Sequence, residues 1–353
     1  MISSANETLS SIMGTLIGTN VSFKNVLPDS TKSVILVVSF FLLIIGIPGN
    51  LLVIWTFLKV KRLRVNHNVF VVSLAFVDTV IIGYLLPNNV ASLLRGVCPI
   101  SRNMCLLNGI IAHICFSTSV QTIMVIAINR FVKICCTTKY DMIFDNRKMV
   151  LILVYTYSVG PIFLVPLLVM GDSQLVYDAT LQMCIFDRYG NWRCTTIYQT
   201  LCLALPILIT AYCYCSVYRT VMKTRSQVMQ RFWNNGLQKR RIQHELVVTR
   251  SQFAIFIAYL VLYIPFGVTA VFVTDRLSVP VSLHAAGIYL CYLNSCINGL
   301  IYGLLNKNIQ QAYREALPCF RRKHNVIAVQ PFLPKDSYKV RKKAVSTQTE
   351  SCV

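Results

Sequence analysis

Residues 33–58 read SVILVVSFFLLIIGIPGNLLVIWTFL, 26 positions without one charged side chain. At 1.5 Å per residue a helix of that length outspans the ~30 Å of a bilayer's hydrocarbon, for which roughly 20 apolar residues are enough. Six further apolar stretches follow at 68–93, 102–136, 149–170, 195–222, 246–274 and 280–305. In lipid each backbone amide must be paired within its own segment, and a barrel would instead show short runs of alternating polarity. The reading is therefore all-α, a seven-transmembrane helix bundle. Composition agrees: 55% of the residues are hydrophobic and 13% charged, and the mean hydropathy of +0.58 is too apolar for a chain that must dress itself for water.

A net charge of +21 would suggest nucleic acid in a soluble protein, but in a membrane chain the placement of the charge decides. Of the 34 Lys and Arg residues, 27 fall in the first, third and fifth inter-span segments and after residue 305, and 7 fall on the other side. By the positive-inside rule the N-terminus is expected outside and the C-terminus inside, at the plasma membrane. The expected organisation is an extracellular tail at 1–32, a seven-span bundle at 33–305, a short amphipathic helix on the inner membrane surface at 306–318 and a disordered cytoplasmic tail at 319–353. No basic start with a short apolar core and cleavage site precedes the first span, so that span is expected to target the chain. Asn6 and Asn20 stand in glycosylation triplets within the outer tail, and Cys319 beside Arg321, Arg322 and Lys323 suits palmitoylation.

Polar residues inside the spans carry the chemistry. Of 13 acidic residues only Asp78 lies mid-span, where an ionisable group is costly unless compensated. Asn50, Ser119, Asn294, Ser295 and Asn298 stand at matching depth, and with Asp78 they offer the carboxylate, hydroxyl and amide oxygens that a hard cation such as sodium prefers. The alternative is a polar knot that only joins helices. Arg130 closes span three and Glu245 opens span six on the same side, a pair suited to an ionic latch. Pro87, Pro166, Pro206 and Pro265 each free a carbonyl and permit a kink. Most of the 14 cysteines lie in apolar runs as small hydrophobes, while Cys98, Cys105, Cys184 and Cys194 face the oxidising exterior, where four cysteines allow three pairings.

Taken in order, Gly49-Asn50, Ser73-Leu74-Ala75 with Asp78, Asn129-Arg130-Phe131, Pro206 with Tyr214, Pro265, and Asn298 with Tyr302 resemble the rhodopsin-like (class A) G protein-coupled receptors from Gly49 to Tyr313. Within that family, Ala127-Ile128-Asn129-Arg130, Ile134-Cys135, Lys139-Tyr140-Asp141 and the runs 294–296 and 301–306 are most similar to melatonin receptors. The resemblance implies a Cys105–Cys184 disulfide, which leaves Cys98 and Cys194 for a second. It also implies that Arg130, Tyr214 and Tyr302, with Asn129 in place of the usual acid, rearrange to admit a heterotrimeric G protein, and that Phe186 covers a ligand. Departures from the pattern are Tyr263 within Leu262-Tyr263-Ile264-Pro265 where tryptophan is usual, Gly299 for proline, and Tyr157 for the span-four tryptophan. Leu167, Arg188 and Cys202 replace polar contacts expected for melatonin, which points to a different small ligand.

Ala112 stands where amine receptors present an aspartate, and Tyr292 where opsins carry the Schiff-base lysine. His113, Phe116, Phe186, Tyr263, Phe266, His284, Tyr289 and Tyr292 are the candidates for a largely apolar outer pocket. Expected partners are the G protein, with Gi/o favoured by the resemblance, arrestin at a phosphorylated Ser346, Thr347, Thr349, Ser351 cluster, and a PDZ domain at the terminal Val353. No cofactor is expected beyond the sodium ion. An enzyme would need a second in-span carboxylate or an activated nucleophile, so none is expected. The rival readings are a transporter or channel, which would need a polar path or repeated broken helices, and a receptor that signals constitutively or only as a heteromer partner.

Overall fold

Apolar length becomes helix. In the computed structural model the seven spans run Asp29–Lys59, Val69–Arg95, Asn103–Cys135, Asn146–Pro166, Thr196–Lys223, Val248–Val268 and Val281–Leu305, close to the stretches read from sequence. The structure describes residues 27–64, 68–95, 101–169, 175–178, 183–186, 192–231, 236–272 and 280–317. Met1–Ala316 forms one compact unit and Leu317–Val353 a second, of which only Leu317 is described. Asn6, Asn20, Cys98, Arg188, Cys319, the serine and threonine cluster and Val353 lie outside the described residues, as do the side chains of Cys194, Phe186 and Glu245.

The bundle is apolar on its outside, and its hydrophobic interior also holds most of the spans' polar groups. Span one turns Val34, Val37, Phe40, Phe41 and Ile44 outward, while Asn50, Thr118, Ser119, Asn294 and Ser295 are wholly or almost wholly buried. Lipid tails take the apolar faces without cost, whereas polar groups have to find one another. Span three is the axis, 67% buried against 28% for spans one and four, and it touches spans two, four, five and six.

Glycines set how closely the helices approach. A Cβ on Gly299 of span seven would sit 2.9 Å from the carbonyl oxygen of Gly49 in span one, and one on Gly287 would sit 3.2 Å from the Phe266 backbone of span six. Only a missing side chain lets backbones pass at that distance. Prolines act differently. Pro87 and Pro206 each deprive the carbonyl four residues earlier of its donor, at Gly83 and Cys202. Both carbonyls fall inside single wide π-type turns, Ile81–Leu85 in span two and Thr200–Ala204 in span five, which absorb the irregularity and rotate the helix beyond it.

Helix ends are secured locally. The Ser101 hydroxyl accepts from the Met104 amide at the start of span three, and Asp145 accepts from the Lys148 amide at 2.8 Å at the start of span four. That bond and the nearby Arg147 and Lys148 hold the Asp145 carboxyl below the usual carboxylate range. At the outer face β1 (Leu175–Asp178) pairs antiparallel with β2 (Met183–Phe186), Tyr177 opposite Cys184. Cys184 is disulfide-bonded to Cys105 of span three, 79 residues earlier. Beyond span seven the helix Lys307–Ala316 buries Ile309 and Ala312, and its Glu315 pairs with Arg62 at 3.0 Å. Its Tyr313 hydroxyl reaches the Gly299 carbonyl at 3.4 Å, and burial pushes that phenol above its ordinary range.

Candidate functional site

Three stations lie along the bundle. The outermost is a cavity of ≈200 Å³ between spans two, three, five, six and seven, roofed by Met183 and Cys184 of the hairpin. Of the sequence candidates, His113, Phe116, Tyr263, Phe266, His284 and Tyr292 line it. Phe116 lies edge-on to Tyr263 at 6.5 Å and to Tyr292 at 6.1 Å. His113 bonds the Gly109 carbonyl through Nδ1 at 2.8 Å and meets Tyr198 edge-on at 5.7 Å. Phe186 ends β2, whose neighbour Cys184 reaches the cavity.

Tyr289 requires a correction, because it is not among the lining residues. Positions 284, 288, 291 and 292 share the helical face turned to the cavity, and 289 is one residue, about 100°, round from 288. It packs instead against Leu27, Ile35, Leu93 and Ala285, toward span one.

Several lining residues escaped the sequence reading, among them Asn89, Asn108, Tyr198 and Gln199. Asn108 carried a usable signal, since it lies four residues before Ala112 and eight before Phe116 on one face of span three. Asn89 did not. It follows the π-type turn of span two, which shifts the helical phase, and its amide donates to the Tyr292 hydroxyl.

The middle station surrounds Asp78, which is 0% exposed. Asn298 donates from Nδ2 to its Oδ2 at 2.7 Å, and Ser295 stands against the same carboxylate. Asn50 is committed through its amide nitrogen to the carbonyls of Gly46 and Ser295, at 3.0 and 2.8 Å. The remaining oxygens, Asp78 Oδ1, Asn50 Oδ1, Ser119 Oγ and Asn298 Oδ1, are buried without a hydrogen-bond partner in the protein. A carboxylate, amide carbonyls and a hydroxyl are the oxygen types that a hard cation prefers.

The innermost station holds Arg130, 2% exposed and among the largest fully enclosed side chains. Tyr214 and Tyr302, both buried, feel its charge. Tyr214 stacks on Phe256 at 5.4 Å, and a space of ≈10 Å³ between Tyr214, Gln252 and Tyr302, about one water's worth, marks where spans three, five, six and seven meet. Asn129 donates to the Tyr140 hydroxyl at 3.3 Å, joining span three to the loop helix Tyr140–Ile143. Glu245 belongs to the helix Gly236–Phe272 that enters span six, with its side chain outside the description.

This order of stations, cavity above carboxylate above arginine, accompanies a sequence match over residues 49–302 to "7 transmembrane receptor (rhodopsin family)". The chain belongs to that family. Similar curated relatives of the receptor are melatonin receptor type 1A of Ovis aries, 29% identical over 282 residues, covering 78% of this chain and 75% of that one, and melatonin receptor type 1A-A of Danio rerio, 28% identical over 279 residues, 78% of each. A solved structure, "Crystal structure of squid rhodopsin", superposes with a TM-score of 0.74 over 93% of both chains at 19% identity, which speaks for the fold alone. The receptor is thus a multi-pass membrane protein of class A, close in sequence to melatonin receptors.

Proposed function

We propose that the receptor converts binding of a small, largely apolar extracellular ligand in the outer cavity into activation of a heterotrimeric G protein at the inner end. The observation that carries this is the burial of Arg130 beside Tyr214 and Tyr302, at the opposite end of span three from a cavity that reaches Asn108 and Phe116. A G protein has to meet a cleft, and an enclosed arginine has none to offer until span six moves away from span three. Pro265 within span six, one residue before the cavity-lining Phe266, is where such a pivot would act. Ligand and G protein then favour the same open arrangement, and each tightens the other's binding.

On this reading the N-terminus lies outside, the basic inner loops meet an acidic partner surface and the anionic leaflet, and the resemblance to melatonin receptors favours a Gi/o partner. Arrestin at the phosphorylated tail and a PDZ domain at Val353 complete the expected inner partners. The oxygens around Asp78 fit a sodium ion, which would hold spans one, two, three and seven together by charge neutralisation. Asn298 and Asn50 supply its neutral ligands and Asp78 its counter-charge.

The test is a G protein dissociation sensor in cells expressing the receptor, screened with indoleamines, lipids and peptides. A responding compound should lose its effect in Ala112→Trp, which fills the cavity, and in Arg130→Ala at the other end, with surface expression retained in both. Responses that survive both substitutions would refute the proposal.

A further inference from the structure

Among the buried polar groups on the cavity wall, two stand far apart along its depth and without a partner in the protein. The Asn108 amide oxygen and the Tyr263 hydroxyl have no hydrogen-bond partner, their residues are 8% and 5% exposed, and both line the outer cavity. Of the neighbouring polar groups, Asn89 is committed to the Tyr292 hydroxyl and His113 to the Gly109 carbonyl, and the buried Ser117 hydroxyl stands against the Cys202 thiol. Buried polar groups in folded proteins are nearly always paired, so the Asn108 oxygen and the Tyr263 hydroxyl constrain what should enter the cavity.

Their positions are complementary. Asn108 lies one turn below the disulfide at Cys105, near the outer end of span three. Tyr263 lies against Phe116, which is eight residues, about 12 Å of helix, further in. Between them the wall is apolar, with Ala112, Leu203, Ile288 and Cys291. Among the described lining residues there is no Lys, Arg, Asp or Glu, so a charged group entering there would lose its hydration without gaining a counter-ion.

We infer that the ligand is an uncharged molecule with an apolar middle, a hydrogen-bond donor at its outer end for the Asn108 carbonyl, and an acceptor at its inner end for the Tyr263 hydroxyl. The Asn108 oxygen can only accept, which fixes the polarity of the outer contact. The inner contact falls on the residue standing where the family usually has tryptophan. A tryptophan there would present a ring nitrogen, whereas the phenol reaches further and donates its O–H to the ligand's acceptor. Tyr263, two residues before Pro265, also packs at a tilt on Tyr259 at 4.3 Å, so the inner hydrogen bond acts on the part of span six that has to move.

This inference rests on the cavity being the ligand site, and the experiment separates the two. Purified full-length receptor in lipid nanodiscs is heated without ligand and with three probes that differ only in their head group: 4-(4-hydroxyphenyl)butanamide, the corresponding carboxylate and the corresponding amine. In the absence of probe, Asn108→Leu and Tyr263→Phe should denature at the same temperature as the parent or higher, because each removes an unpaired buried group. A lower temperature would mean that the groups had protein partners, and would overturn the inference. The amide should raise the parent's denaturation temperature more than either charged analogue, and each variant should bind it about fivefold to tenfold more weakly, the loss of one hydrogen bond. A charged analogue that binds better, an amide that binds nowhere, or an amide bound equally by parent and both variants would each refute it. Amide binding that persists in Ala112→Trp would refute the cavity itself.

Discussion

Asp78 shows how one side chain organises its surroundings. An isolated carboxylate in hydrocarbon would be expelled or neutralised, and the bundle answers with Asn298 at 2.7 Å and Ser295 alongside. One carboxylate oxygen remains without a protein donor, as do oxygens of Asn50, Ser119 and Asn298. If sodium completes this set as proposed, replacing choline chloride by sodium chloride should raise the thermal denaturation temperature of purified receptor, and Asp78→Asn should abolish the response by removing the charge. An equal rise in both proteins would exclude sodium from the cluster. The sequence made this group legible because an acid among apolar residues is conspicuous. Which oxygens face it was not legible, since spans one, two, three and seven meet only in the folded bundle.

At the scale of elements, the junction of spans one and seven depends on Gly299 having no side chain. A methyl there would meet the Gly49 carbonyl oxygen at 2.9 Å, and backbone cannot step aside as a side chain could. Gly299→Ala is therefore expected to cost about 1–3 kcal/mol, the usual penalty of overpacking, seen as a lower denaturation temperature and reduced surface expression. Gly49→Ala is the control, because a Cβ at Gly49 meets nothing within 4 Å, and it should leave the temperature unchanged or slightly higher, as helical Gly→Ala changes do. A harmless Gly299→Ala would show that the two helices separate freely. The departure from the family's usual proline, visible in sequence as a bare substitution, thus gains a physical sense as close packing. Regular helical phase was sufficient to group His284, Ile288, Cys291 and Tyr292 on one face and could have excluded Tyr289. It could not place Asn89 beside Tyr292, because the π-type turn at Ile81–Leu85 alters the phase without any signature beyond the nearby Pro87.

For the whole molecule, the uneven sharing of Lys and Arg, 27 on one side and 7 on the other, predicts orientation. An epitope fused before Met1 should be stained in intact cells and one fused after Val353 only after permeabilisation; the opposite pattern would invert the proposed topology. Sequence alone determined the number of helices, their approximate ends and the membership of a seven-span family, because in lipid a chain must satisfy its backbone locally and apolar length therefore translates directly into structure. Tertiary structure decided everything that depends on rotation about the helix axes: that Arg130 is enclosed, that Tyr289 turns toward span one, and that Asn108 and Tyr263 share a cavity. The physical reason is that lipid accepts any apolar face equally, so only contacts between helices, set by glycines, prolines and the few buried polar groups, choose which face turns inward.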